Sequence, residues 1–259
     1  MKKYLGLWIM ALLMLCAASA WAYPTLDGAS GLITLPTAEV TPVGAVDLAV
    51  DYTSIDFWGD VCPVGETKMY PVRINAGVAE NLEFSANYTF LNDEDNALTH
   101  IWSVGAKFAL LTEAEDGVGL ALSGSGGKLQ AEDGDNDVSL RRATLALTKS
   151  FPVDDSITAK VTAGAAYLKI GNWFDDSYIK PYLGLELVGA KGANLGLEYR
   201  WKDSNIDQKA VFSAVVRLPL MPEAENSPLW LEVGSTNGSI VGFDDQDFFG
   251  GVCYRFMAD

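Results

Sequence analysis

The sequence predicts an all-β chain: a transmembrane antiparallel up-and-down β-barrel of about twelve strands, preceded by a cleaved signal peptide. Three observations predict it. Segments of roughly ten residues alternate apolar with polar side chains along most of the chain, the period and length of a tilted strand crossing a bilayer. The first 22 residues have the order of an export signal. Aromatic residues collect near the expected strand ends, where interfacial girdles form.

The signal comes first. Lys2 and Lys3 precede an apolar run over 4–18, and Ala20-Trp21-Ala22 supplies small residues for cleavage, so Tyr23 is the expected mature start. Leu15 stands before Cys16 where a lipoprotein signal wants a small residue, which argues against lipidation. No later stretch has the long uncharged apolar run of a membrane helix. Loss of Lys2 and Lys3 takes the formal charge from −16 to −18. A chain this acidic excludes nucleic acid as a partner and disfavours anionic membrane surfaces.

Residues 28–42, GASGLITLPTAEVTP, are too rich in glycine and proline for a spanning strand. Alternation begins at 44–52, with Val46, Leu48, Val50 and Tyr52 against Asp47, Ala49 and Asp51. It resumes over 70–78, and over 81–91 it is clearest: Leu82, Phe84, Ala86, Tyr88 and Phe90 share one face, Glu83, Ser85, Asn87 and Thr89 the other. Further strands are expected at 99–110, 117–126, 138–149, 157–169, 177–190, 193–202, 208–219, 228–236 and 247–256, with no helix after the signal. The glycine-rich 117–126 is the weakest of them.

The connections point the same way. Those at 53–69, 92–98, 127–137, 170–176, 203–207 and 237–246 are mostly longer and often Asp-rich, as extracellular loops are; on the other side 79–80 and 191–192 are tight, as periplasmic turns are, and 112–116, 150–156 and 220–227 are of middling length, so the asymmetry is imperfect. Tyr52, Tyr70, Phe90, Trp102, Tyr167, Trp201, Tyr254 and Phe256 fall near strand ends. Gly251, Tyr254 and Phe256 resemble the ending read by barrel-assembly machinery. A secreted β-sandwich is the alternative, but its apolar face needs a second sheet, which twelve long even strands fit poorly.

Charged residues recur on the less apolar face: Asp47, Arg73, Glu83, Lys107, Arg142, Lys160, Lys180, Glu186, Glu198, Arg200, Arg217, Glu232 and Arg255. With lipid on the other face they point into the lumen. Both signs are interspersed, so two readings stay open: a paired, filled interior or a wet pore.

Little supports catalysis. His100 is the only histidine, Ser103 falls on the opposite face from it, and no serine stands two residues away. The acidic run 132–137 lacks the later glutamate of a calcium loop, with Thr144 in its place. No enzymatic, cofactor or metal site is expected. Cys62 falls on an outer connection and Cys253 near the inner rim, a separation that disfavours a disulfide.

Gly28, Gly31, Leu32, Ile33, Pro36, Thr37 and Ala38 form a GxxGLI…PTA pattern just after the signal. It resembles the amino-terminal signature of the YjbH-like outer-membrane family. The resemblance covers some seventeen residues, and longer members are linked to exopolysaccharide production or export. It implies an outer-membrane barrel with polysaccharide or other envelope proteins as partners, beside membrane lipid. The expected organisation is therefore a signal peptide over 1–22, a signature segment over 23–43 and a barrel over 44–259. Whether the segment plugs the lumen, caps its periplasmic mouth or tethers the first strand stays open.

Overall fold

The computed structural model describes residues 23–26, 29–56, 66–92, 98–131, 137–171, 177–189, 192–202, 210–221, 228–237 and 247–257. The expected signal peptide, Gly28, Cys62 and 132–136 lie outside them. Two short strands, β1 (Tyr23–Pro24) and β2 (Ser30–Gly31), pair with each other. Twelve longer strands follow: β3 (Ala45–Asp56), β4 (Glu66–Ala79), β5 (Leu82–Asn92), β6 (Leu98–Leu111), β7 (Gly119–Ala131), β8 (Val138–Pro152), β9 (Ile157–Gly171), β10 (Ser177–Gly189), β11 (Asn194–Arg200), β12 (Val211–Pro219), β13 (Leu229–Thr236) and β14 (Asp247–Met257).

Each of the twelve pairs antiparallel with its sequence neighbours, and β14 returns to β3 from Met257↔Ala45 to Phe249↔Thr53. The sheet is a closed barrel. Closure is what a bilayer demands, because an open edge would leave backbone N–H and C=O groups without partners in hydrocarbon.

The alternation decides which face meets what. In β5, Phe84 is 52% and Phe90 53% exposed on the outside of the barrel, whereas Glu83 on the inside is 0% exposed. Leu122, Leu145, Leu147, Val161, Leu183, Phe212 and Val233 repeat the exposed apolar exterior around the wall. Such an inverted surface, apolar outside and charged within, is stable against lipid and not against water. Connections at the β3–β4 end (57–65, 93–97, 132–137, 172–176, 201–210, 237–246) are longer than most at the other end (80–81, 112–118, 153–156, 190–193, 220–228). The longer set marks the extracellular side.

Three expectations are corrected. The structure holds one helical turn, α1 (Glu113–Asp116), in a connection expected to lack helix; Gly117 ends it at φ 73°, where its backbone N–H donates to the carbonyl of Glu113. Strand β7 continues to Ala131, so 127–131 is not a loop: Gly126 and Gly127 stay paired to Val104 and Ser103 on one side and to Arg141 and Leu140 on the other. Backbone pairing needs no side-chain signal there. Strand bounds are the third: β4 begins at Glu66 rather than 70, its added residues pairing with β3 and β5, and β11 stops at Arg200, short of Trp201 and Lys202.

Candidate functional site

Most inward positions of the wall are either charged or very small. Arg73, Glu83, Lys107, Lys160, Lys180, Glu186, Glu198, Arg200, Arg217, Glu232, Arg255 and Asp47 are all buried on the interior face, and Arg142 is half-buried there. Between them stand Ser85, Ser123, Ser125, Gly164 and Gly184, which leave space along the axis. Residues 23–26 and 29–41 occupy that space.

The contacts of this segment run around the wall. From β5, the Glu83 carboxylate accepts from the Ser30 backbone N–H at 2.8 Å, from the Ser30 hydroxyl at 2.6 Å and from the Thr41 N–H at 2.8 Å. From β6, Lys107 Nζ donates to the Ser30 carbonyl at 2.8 Å and also to its hydroxyl. From β8, Arg142 Nη1 donates to the Thr34 carbonyl at 3.0 Å, and Thr148 Oγ1 accepts from the Ala38 N–H at 2.9 Å. Lys160 of β9 pairs with Glu39, and the Tyr182 hydroxyl of β10 donates to the Pro36 carbonyl at 2.8 Å. Arg217 of β12 donates to the Leu32 carbonyl and Arg73 of β4 to that of Pro24. A chain touched from all these strands lies inside the barrel.

Glu198 of β11 makes the most concentrated grip. Its Oε2 accepts the backbone N–H groups of Ile33, Thr34 and Leu35 at 3.2, 2.9 and 3.1 Å, and its Oε1 accepts the Thr34 hydroxyl. Successive N–H groups converging in a turn form an anion-binding concavity, here filled by the wall's own carboxylate. The buried charge is thereby satisfied, as it must be away from water.

Apolar contacts fix the same segment. Leu32 and Leu35 pack with Ala146, Ala166 and Tyr182; Ile33 packs with Val215, Phe249 and Leu26; Tyr23 packs with Ala49, Trp230 and Cys253. Gly184 is required by this arrangement, because any Cβ there would overlap the Leu32 side chain. Gly77 likewise faces the carbonyls of Thr41 and Pro42. At the periplasmic end the Tyr23 ring lies edge-on to Trp230, centroids 5.6 Å apart, under the Arg217 guanidinium at 4.7 Å, and its hydroxyl donates to the Gly192 carbonyl at 2.9 Å.

The wall charges also pair with one another. Arg73 meets Asp51 and Glu232, Arg217 Nε reaches Glu232 at 3.1 Å, Lys107 Nζ lies 3.4 Å from Glu83, and Arg255 clasps Asp47 across the closing seam, Nη2 to Oδ2 at 2.6 Å. Among the described residues, small cavities of about 10 and 20 Å³ lie beside Arg142 and the serines of β5 to β7, each room for about one water.

Of the signature residues, Gly31 lies in β2, and Leu32, Ile33, Pro36, Thr37 and Ala38 are buried within the lumen. Sequence reasoning missed Tyr182, Thr148, Gly77 and Gly184, whose roles depend on partners far away in the chain. His100 sits on the outer face, stacked on Tyr88 at 5.0 Å with Nδ1 3.1 Å from Thr99 Oγ1. Cys253 is a buried free thiol. Among the described residues no cluster of metal-ligating side chains occurs.

No family model matches the chain, and no curated protein matches it. Solved structures do. The KdgM porin in complex with disordered oligogalacturonate is 11% identical, with 82% of this chain and 99% of that one covered at a TM-score of 0.50. The chain is a bacterial outer-membrane β-barrel. The COG4313 outer membrane channel from Pseudomonas putida F1 is 12% identical over 86% of this chain and all of its own, at 0.48. The outer membrane protein Omp33 of Acinetobacter baumannii is 11% identical over 82% and 97%, at 0.44.

Proposed function

We propose that the protein is a passage across the outer membrane whose residues 23–43 are a resident closure, and that its cargo is an envelope polysaccharide. The observation that carries this reading is how the segment is held. Its partners are wall carboxylates, lysines and arginines, most of which already have a second ion-pair partner on the wall. If the segment leaves, Glu83 keeps Lys107, Arg73 keeps Asp51 and Glu232, and Arg217 keeps Glu232, while Glu198 and Lys160, which gives up Glu39, are resolvated by entering water. The serine and glycine positions behind it would then line an open, hydrophilic lumen suited to a hydroxyl-rich polymer. The YjbH-like signature lies in the closing segment itself and supports the polysaccharide assignment.

A closed structural or interaction barrel is the second reading, favoured by the small size of the cavities beside Arg142. We read neither as enzymatic. His100→Ala should leave lipid hydrolysis by the purified protein unchanged, and a loss would restore a hydrolase reading. Swelling of liposomes in oligosaccharide solutions tests the passage. Protein lacking 23–43 should admit neutral oligosaccharides that the full mature chain excludes; a folded truncation that admits none removes the passage reading in favour of the closed barrel.

A further inference from the structure

The wall beneath residues 32–36 has a chemistry of its own. Three groups from three strands meet these few residues. Glu198 of β11 accepts from the N–H groups of Ile33, Thr34 and Leu35, Arg142 of β8 donates to the Thr34 carbonyl at 3.0 Å, and the Tyr182 hydroxyl of β10 donates to the Pro36 carbonyl at 2.8 Å. Around them the wall is low. In register, Ala146, Gly164 and Tyr182 stand side by side on β8, β9 and β10, and Gly184 faces Glu198 across β10 and β11. Gly164 must lack a Cβ because the Tyr182 ring lies across it, and Gly184 because Leu32 fills the recess above it.

The result is a recess with one aromatic ring, a floor of small residues and a polar rim. Tyr182 is 1% exposed while Leu32 and Leu35 cover it in the apolar cluster with Ala146 and Ala166. What the segment presents there is an aliphatic face to the ring, N–H groups and the Thr34 hydroxyl to Glu198, and a carbonyl to Arg142. A pyranose ring presents the same set: an apolar C–H face, with hydroxyl donors and oxygen acceptors around its edge. Five residues also fill more volume than one hexose, so the recess is large enough once they leave. Ligand sites combine apolar walls with a few placed polar groups in this way.

We propose that the recess of Tyr182, Glu198 and Arg142 is a saccharide subsite of the lumen, which a neutral pyranose takes in place of residues 32–36. This rests on the reading of 23–43 as a removable closure. The sugar's C–H face stacks on Tyr182, neighbouring hydroxyls donate to the two Glu198 oxygens, and Arg142 donates to a sugar oxygen. Neutrality follows from Glu198, whose oxygens only accept; a uronate would set its carboxylate against this one. Sugar and segment are then rivals for one place, and binding of the sugar shifts the closure toward its open state.

Amide exchange of the folded full mature chain in detergent, with and without saccharide, tests this. Ile33, Thr34 and Leu35 exchange when the segment is out, so a sugar that holds the recess multiplies their rate by one plus its concentration over its Kd. With maltohexaose or cellohexaose at about 10 mM and a Kd of about 1 mM, the acceleration is roughly tenfold. Tyr182→Leu removes the ring and should cut it to about twofold to threefold. A purely structural ring would change the basal rate and leave the acceleration alone. Tyr182→Phe, which gives up the Pro36 bond but keeps the ring, should raise the basal rate and retain the acceleration. No acceleration by either neutral sugar, equal acceleration by hexagalacturonate, or an equal acceleration in Tyr182→Leu would each overturn the subsite. The first two need no variant and stand even where Tyr182→Leu does not fold. Passage is read separately by swelling: a chain that passes sugar without this acceleration loses the subsite alone, and one that shows it without passing sugar loses the passage alone.

Discussion

Glu198 carries the closure at the scale of single residues. Its carboxylate satisfies three backbone N–H groups that the segment cannot pair internally, in a place where an unmade hydrogen bond costs about 1–3 kcal/mol. Glu198→Gln retains the shape and removes the charge, so it should loosen residues 33–35 without unfolding the barrel. Amide exchange at Ile33, Thr34 and Leu35 should accelerate roughly tenfold to a hundredfold, and unchanged protection would show that apolar packing alone holds them. Gly184 gives the steric counterpart. Gly184→Val should drive Leu32 from its seat, at a cost of about 1–3 kcal/mol, and expose 23–43 to protease in folded protein; a segment equally resistant in both would contradict the fit.

A third residue reports on pH. Partial burial tends to raise the Glu113 carboxyl, but the Ser150 backbone N–H and hydroxyl, each at 2.7 Å, together with Lys149 hold it below its ordinary value of 4.5. A depressed carboxylate stabilises the fold above its unfolded value and loses that contribution as pH falls through the folded value. Glu113→Gln should therefore lower thermal stability modestly at neutral pH, and the difference from the unmodified protein should shrink as pH falls below about 4.5. An unaltered acid limb would mean that the turn is not held by this group.

Among elements, the seam between β14 and β3 closes the barrel and is clasped by Arg255 and Asp47, directly opposed in register. Leaving one member of a buried pair alone costs about 3–5 kcal/mol, so Asp47→Asn should lower the temperature at which the folded band disappears in semi-native electrophoresis. The same temperature for both proteins would assign closure to the backbone ladder alone. How far such elements could be read in advance depends on which side chains carry the pattern. Strand β5 was legible because Phe84, Tyr88 and Phe90 alternate with Glu83, Asn87 and Thr89, one set for lipid and one for the interior. The outer end of β7 was not, because Gly126 and Gly127 contribute backbone and no side-chain contrast. Helical turn α1 was hidden for another reason: four residues are too few to show a helical period. The inward charges were legible as a face, but their partners were not, since Arg217 meets Leu32 and Glu198 meets Thr34 across most of the chain.

At the scale of the whole molecule, the wall and the segment divide the stabilising work. The wall is complete in its backbone ladder and largely neutral in its ion pairs, so it has the means to stand without 23–43. The segment, by contrast, has a two-residue hairpin and a few turns of its own and depends on the wall for its remaining polar partners. That imbalance is what a removable closure requires, and a permanent core would not need it. Single-channel recording in planar bilayers measures the difference directly, comparing the folded full mature chain with the folded chain lacking 23–43. Steady openings from the truncated protein and a closed full-length chain are the expected result; silence from both, with each shown to be folded, would contradict the closure and leave a barrel without a passage.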